Sequence, residues 1–141
     1  MTYIVRKKPQ YPDTYEECCK VFGLNHFLSL AWDSYDVYSG VIKYLPKQIE
    51  DIAKKLELVS KLIICRNAYW KIAGEQMGLG KPWEYDMSKG EYSSAISYQS
   101  GFIQKNEIRH SNAILVFPTE EMRDTFYKNF KDLIETCKEF L

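Results

Sequence analysis

Hydrophobic positions follow two rhythms along this chain, and the change between them comes near Pro82. Before it, Ile49, Ile52, Ala53, Leu56 and Val59 recur at spacings of three and four, and Ile63, Tyr69, Ile72 and Ala73 continue an apolar side. That spacing predicts helix, because residues three and four apart share one helical face. Pro46 suits a first turn, where its missing amide would have no intrahelical partner. The run is long for a globular helix, so a break is expected near residues 58–60. The second half, LIICRNAYWKIAG, is expected to form the central core helix and to end around Gly78 or Gly80.

Upstream, Thr14-Tyr15-Glu16-Glu17 has the form of a capping box, with the Thr14 hydroxyl accepting from the Glu17 amide and the Glu17 carboxylate accepting from the Thr14 amide. Cys18, Val21 and Phe22 give that short helix an apolar side, and Gly23 stops it. Residues 1–8 read as a short edge strand through Tyr3 and Val5, or as loose chain. In residues 25–45, Phe27, Leu28, Leu30, Ala31 and Trp32 favour helix, against the turn-like Ser34, Asp36, Ser39 and Gly40.

After Pro82 the period falls to two. Tyr92, Ser94, Ile96, Tyr98, Ser100 and Phe102 line one face of an expected strand, NEIRHSN turns the chain, and Ala113-Ile114-Leu115-Val116-Phe117 reads as a second, antiparallel and more deeply buried strand. Thr119 is the expected N-cap of a final helix whose packing side is Met122, Phe126, Phe130, Leu133, Ile134 and Cys137. The expected fold is a single α+β domain over residues 1–141, a small antiparallel sheet packed against several helices.

Composition narrows the function classes. With 19 Lys and Arg against 19 Asp and Glu, there is no basic excess to neutralise phosphates, and Arg6-Lys7-Lys8 and Lys54-Lys55 read as solvated faces. Cys18, Cys19, Cys65 and Cys137 form no CxxC pair or zinc-knuckle spacing. Free, buried thiols in a reducing compartment are expected. No secretion signal and no apolar run of about 18 residues is visible, so the expectation is a cytoplasmic protein with no membrane partner.

Three segments together, LIICRNAYWKIAG, KPWEYD and SNAILVFPTEEMRDTFYKNFKDLIE, with the opening YEECCKVFGL, resemble a family of small uncharacterised proteins encoded by phages and prophages of gut Bacteroidetes. The resemblance covers residues 15–24 and about 62–135. It matches 62–74 to the family's central helix, Trp83 to its aromatic turn, 111–117 to its last strand, and Phe126, Phe130 and Leu133 to its closing helix. Asn112-Ala113-Ile114 departs from the Gly-Ser-Arg-like turn typical there. The resemblance implies a mobile-element origin and a shared fold, and it brings no activity.

Catalytic signals are weak. The chain has two histidines, His26 and His110, and neither belongs to an HExxH pattern. Asp33 with Asp36 reads as a turn, and Glu120 with Glu121 as first-turn charges favourable to the helix dipole. Gly78-Leu79-Gly80-Lys81 lacks the rest of a phosphate loop and follows a helix rather than a strand. No cofactor, metal or catalytic residue is expected.

The aromatic residues carry the remaining signal. Trp70, Ile96, Phe102 and Phe117 read as core. Trp83, Tyr85, Tyr92 and Tyr98 have polar neighbours and combine contact area with a hydrogen-bonding edge, which suits recognition, with Lys105 and Arg109 as charged edges. The leading expectation is a non-enzymatic binding or protein-interaction module for a host or phage protein, with a homo-oligomer as a related form. The alternatives are a nucleotide or nucleic-acid binder that stacks bases on these rings, and a small hydrolase built on a histidine and two acids.

Overall fold

A computed structural model describes residues 10–22 and 47–141. The expectations for residues 1–8, Gly23, residues 25–45 and Pro46, with His26, Asp33 and Asp36 among them, lie outside the described residues. After the short helix α1 (Tyr15–Phe22), the long helix α2 (Lys47–Gln76) runs 30 residues without a break. The expected interruption at 58–60 is absent because nothing there removes a backbone donor. Ser60 turns its hydroxyl back onto the Leu56 carbonyl, 3.0 Å away. The Glu50–Lys54 and Glu57–Lys61 pairs, one turn apart, support the exposed side.

Val59, Leu62, Cys65, Ala68, Tyr69 and Ala73 form the buried face of α2. Ile52 and Leu56, which share the predicted apolar side, are exposed. The helix ends in a Schellman motif: the Gly78 amide donates to Glu75 and the Leu79 amide to Gly74, with Gly78 at φ 67°. At the other end of the chain order, the Thr14 hydroxyl accepts from the Glu17 amide at 3.1 Å as expected. The Glu17 carboxylate accepts from the Asp13 amide instead of that of Thr14. Helix α1 packs along α2, and the Lys71 ammonium donates to the Val21 carbonyl in its last turn, where the helix dipole favours a cation.

Strands β1 (Ser93–Gln99), β2 (Phe102–Ile108) and β3 (Leu115–Phe117) form an antiparallel sheet in the order β2-β1-β3. The single strand expected through Phe102 is therefore a hairpin, and Asn106, Glu107 and Ile108, assigned above to a turn, belong to β2. Ser100 and Gly101 make the connection, both at positive φ (54° and 84°), the twist sense that a two-residue hairpin requires. Register puts Ser94, Ile96 and Tyr98 on one face with Glu107, Lys105, Ile103, Leu115 and Phe117.

That face meets α3 (Glu120–Asn129), capped as expected by Thr119, whose hydroxyl accepts from the Met122 amide at 3.2 Å. The expected single closing helix breaks at Phe130, after which α4 (Lys131–Thr136) and a short 3-10 turn finish the chain. Buried Arg123 on α3 is paired with Glu107 and Asp124.

Tyr69 stands at the centre of the core. Its ring meets Phe117, Phe126 and Phe130 edge-on and stacks on Tyr11 at 5.0 Å. Its hydroxyl donates to the Pro12 carbonyl and accepts from the Asn129 amide. The four cysteines are free and buried. A hydrogen bond to Cys65, with burial, pushes the Cys18 thiol well above the ordinary range. Among the described residues, no helix is long and apolar enough to cross a membrane.

Candidate functional site

The chain leaving α2 folds straight back over it. A Cβ at Gly74 would collide with the Lys81 carbonyl oxygen and sit 2.8 Å from Pro82 Cα, so only glycine permits this approach. The return is fixed by the Trp83 amide, which donates to the Trp70 carbonyl at 2.9 Å. Trp83 is thereby turned into the core, with 9% exposure and its ring edge-on to Trp70 at 5.3 Å. The picture of Trp83 as an exposed ring is corrected: the indole packs inward, and the little of it that stays accessible lines a cleft. Trp70 itself is half-buried, its indole N–H donating to the Val116 carbonyl at 2.7 Å.

The other sequence-predicted residues are dispersed. Tyr85 is half-buried and donates its hydroxyl to the Ser111 carbonyl at 2.6 Å. Tyr98 is half-buried, with the Lys138 ammonium 5.6 Å from its ring. Lys105 lies over the Tyr127 ring and 3.6 Å from Asp124, so its charge is partnered within the fold. Tyr92 is 67% exposed and carries the Arg109 guanidinium 5.3 Å from its ring. Phe102, read as core, is 72% exposed, a second correction. It sits beside the hairpin turn, paired with Gln99 and therefore on the face of the sheet turned away from α3. Tyr92 lies at the far end of β1, roughly 20 Å away along the strand. The expected continuous aromatic face does not form.

A different set of residues converges. Met77 and Leu79 in the helix exit and Met87 in the following loop are exposed, and together they rim a cleft of about 540 Å³ walled by Trp83 and Tyr85. That volume is in the range that accepts a small ligand or a few side chains. Glu84, Asp86 and Glu91 with Lys81 and Lys89 supply a rim of mixed charge.

The loop bearing Met87 is shaped from within. The Asp86 carboxylate accepts from both the amide and the hydroxyl of Ser88, which holds its carboxyl below the usual range. His110, itself at φ 57°, has Nδ1 2.8 Å from the Met87 carbonyl, and its ring lies against Gly90. His110 thus fastens the loop.

Gly78-Leu79-Gly80 offers no phosphate cradle, since the Gly78 and Leu79 amides are spent on helix carbonyls. Among the described residues no group of three or more His, Cys, Asp or Glu is placed to hold a metal ion. Sequence reasoning missed Met77, Leu79 and Met87. The signal that could have found Met77 and Leu79 is two large apolar residues on either side of Gly78 in a polar stretch, whereas Met87 stands alone between Asp86 and Ser88. Comparison of the chain with family models, curated proteins and solved structures finds no match.

Proposed function

We propose that this chain is a non-enzymatic binding module, an accessory protein of a phage or prophage, that holds an apolar side chain of a host or phage protein in the methionine-rimmed cleft. One observation carries the reading: Met77, Leu79 and Met87, all exposed, converge on a cleft whose wall is the rigidly anchored Trp83. Exposed apolar side chains gathered in one place mark interaction sites more often than scattered ones do. Methionine adds an unbranched, polarisable side chain that adapts to a partner's shape. Support for the mobile-element origin is the sequence resemblance alone.

The test compares capture by the wild-type chain with capture by a Met77→Asp/Met87→Asp double variant, both checked for an unchanged thermal transition. The expected result is a protein enriched by the wild type and lost from the variant. If the occupant is a second copy, sedimentation gives a concentration-dependent dimer that the variant lacks. Identical enrichment and sedimentation for the two chains would sink the proposal.

The nucleotide or nucleic-acid reading has one observation in its favour, the Arg109 guanidinium over the exposed Tyr92 ring. Against it, Lys105 is engaged with Asp124. Fluorescence anisotropy with a labelled single-stranded oligonucleotide, repeated for Tyr92→Ala, separates the two: salt-sensitive binding that the substitution weakens favours the nucleic-acid reading.

A further inference from the structure

The run LIICRNAYW places one charged residue, Arg66, in the middle of the core helix. Its guanidinium lies over the Trp70 ring, 3.9 Å from Cζ to the ring centroid. Nε and Nη2 donate to Asn67 Oδ1 at 3.2 and 2.8 Å, and Nη1 donates to the Ile114 carbonyl at 2.7 Å. These bonds leave one N–H unspent on each terminal nitrogen, since each carries two.

Among the described residues no carboxylate lies within ion-pair distance of Arg66. Burial lowers its pKa to about 10, the direction expected of a desolvated cation, and it remains charged at neutral pH. The contrast within the molecule is Arg123, which is also buried and has two acids. A half-buried guanidinium without a counter-ion is unfavourable for folding. Its neutral contacts satisfy the geometry but not the charge.

Arg66, Asn67, Trp70, Pro82, Glu84 and Tyr85 line a cavity of about 410 Å³. Pro82, Glu84 and Tyr85 also line the methionine-rimmed cleft, so this short segment borders both. We propose that the Arg66 cavity binds a monoanionic carboxylate carried on a flat apolar body: the carboxylate takes the two unspent N–H groups, and the body lies among Trp70, Pro82 and Tyr85. A planar guanidinium matches the two oxygens of a carboxylate. A single charge is favoured over a phosphate dianion because Arg66 supplies one uncompensated positive charge and Glu84 lines the same cavity. The proposal does not depend on what fills the neighbouring cleft.

The experiment titrates the full chain, labelled with nitrogen-15, with benzoate, inorganic phosphate and benzyl alcohol. The Arg66 Nε–H and the Trp70 indole N–H are followed by NMR. Benzoate is expected to shift both signals saturably, with a dissociation constant of about 1 mM for so small a ligand. Phosphate and benzyl alcohol are each expected to bind at least about tenfold more weakly, a difference of about 1.4 kcal/mol. Arg66→Gln is expected to abolish the benzoate shift at Trp70. Glu84→Gln, which leaves the guanidinium in place, tightens benzoate several-fold and keeps the test decisive if the Arg66 variant does not fold. Absence of a saturable shift in the wild type overturns the site. Benzyl alcohol matching benzoate overturns the role of Arg66, and phosphate matching benzoate overturns the choice of carboxylate.

Discussion

Trp83 and Phe102 stand in the same run of aromatic and polar residues, yet the first is 9% exposed and the second 72%. Composition does not separate them; the backbone that carries them does. Trp83 follows a chain reversal pressed against α2, where its amide bonds to the Trp70 carbonyl and its ring packs edge-on against that of Trp70. Phe102 follows a two-residue turn at the end of a hairpin, paired with Gln99 and so on the sheet face turned away from α3. Burial of an aromatic residue here is a property of the turn before it.

Removing the two rings should therefore give very different results. Trp83→Ala is expected to cost about 3–5 kcal/mol in chemical denaturation, the range for a large buried ring. A loss below about 1 kcal/mol would mean that the ring is not part of the core. Gly74→Ala attacks the same region through the backbone and should cost about 1–3 kcal/mol, because the new methyl group must displace residues 81 and 82. Its second expected effect, a changed Trp83 fluorescence maximum, separates displacement of the return segment from simple helix strain.

The core side of the comparison also carries a pH signature. The Cys18 thiol, hydrogen-bonded to Cys65 and buried, and the Cys137 thiol, buried, both titrate above the ordinary value in the fold. As pH rises past about 8.5 the unfolded chain ionises its thiols first. The unfolded state then binds fewer protons than the folded one, so stability that is fully present below that pH falls above it. The denaturation midpoint should drop between pH 8 and 10, and Cys18→Ala should flatten that slope even if it lowers the midpoint overall.

On the hairpin side the effects are small. Ser100→Gly should stabilise by about 0.5 kcal/mol, because relief of the left-handed strain slightly exceeds the greater freedom of glycine in the unfolded chain. Phe102→Ala should change stability by less than about 0.5 kcal/mol. If it matched Trp83→Ala, the proposed difference between the two turns would be wrong.

Features set by neighbouring residues were the ones legible in the sequence. The Thr119 cap and the Thr14 contact to Glu17 depend on a spacing of three and are found. Of the apolar side expected on the second half of α2, Tyr69 and Ala73 are buried while Ile63 and Ile72 are only half-buried beside a face built on Leu62, Cys65 and Ala68. The α+β class follows from the change of period near Pro82. The Ser100-Gly101 turn was also written locally, as a dipeptide suited to positive φ, but the alternation of Tyr98, Ser100 and Phe102 masked it. What could not be read were contacts across long separations. Gly74 against Lys81, Trp83 under Trp70, and Arg66 bonded to the Ile114 carbonyl all depend on where the chain returns, and these set the cleft and the cavity.

Tyr69 has a consequence for the order in which the protein can be completed. Its hydroxyl joins residue 12, 57 positions earlier, to residue 129, 60 positions later, and the rings around it come from β3, α3 and the α3–α4 junction. A chain emerging from the ribosome can form α2 early, because helical contacts are local. It cannot close its interior until Phe126 and Phe130 have been synthesised. Until then, the apolar face of α2 remains available to chaperones or to other nascent chains, so the arrival of α3 determines when α2 becomes safe from misassembly.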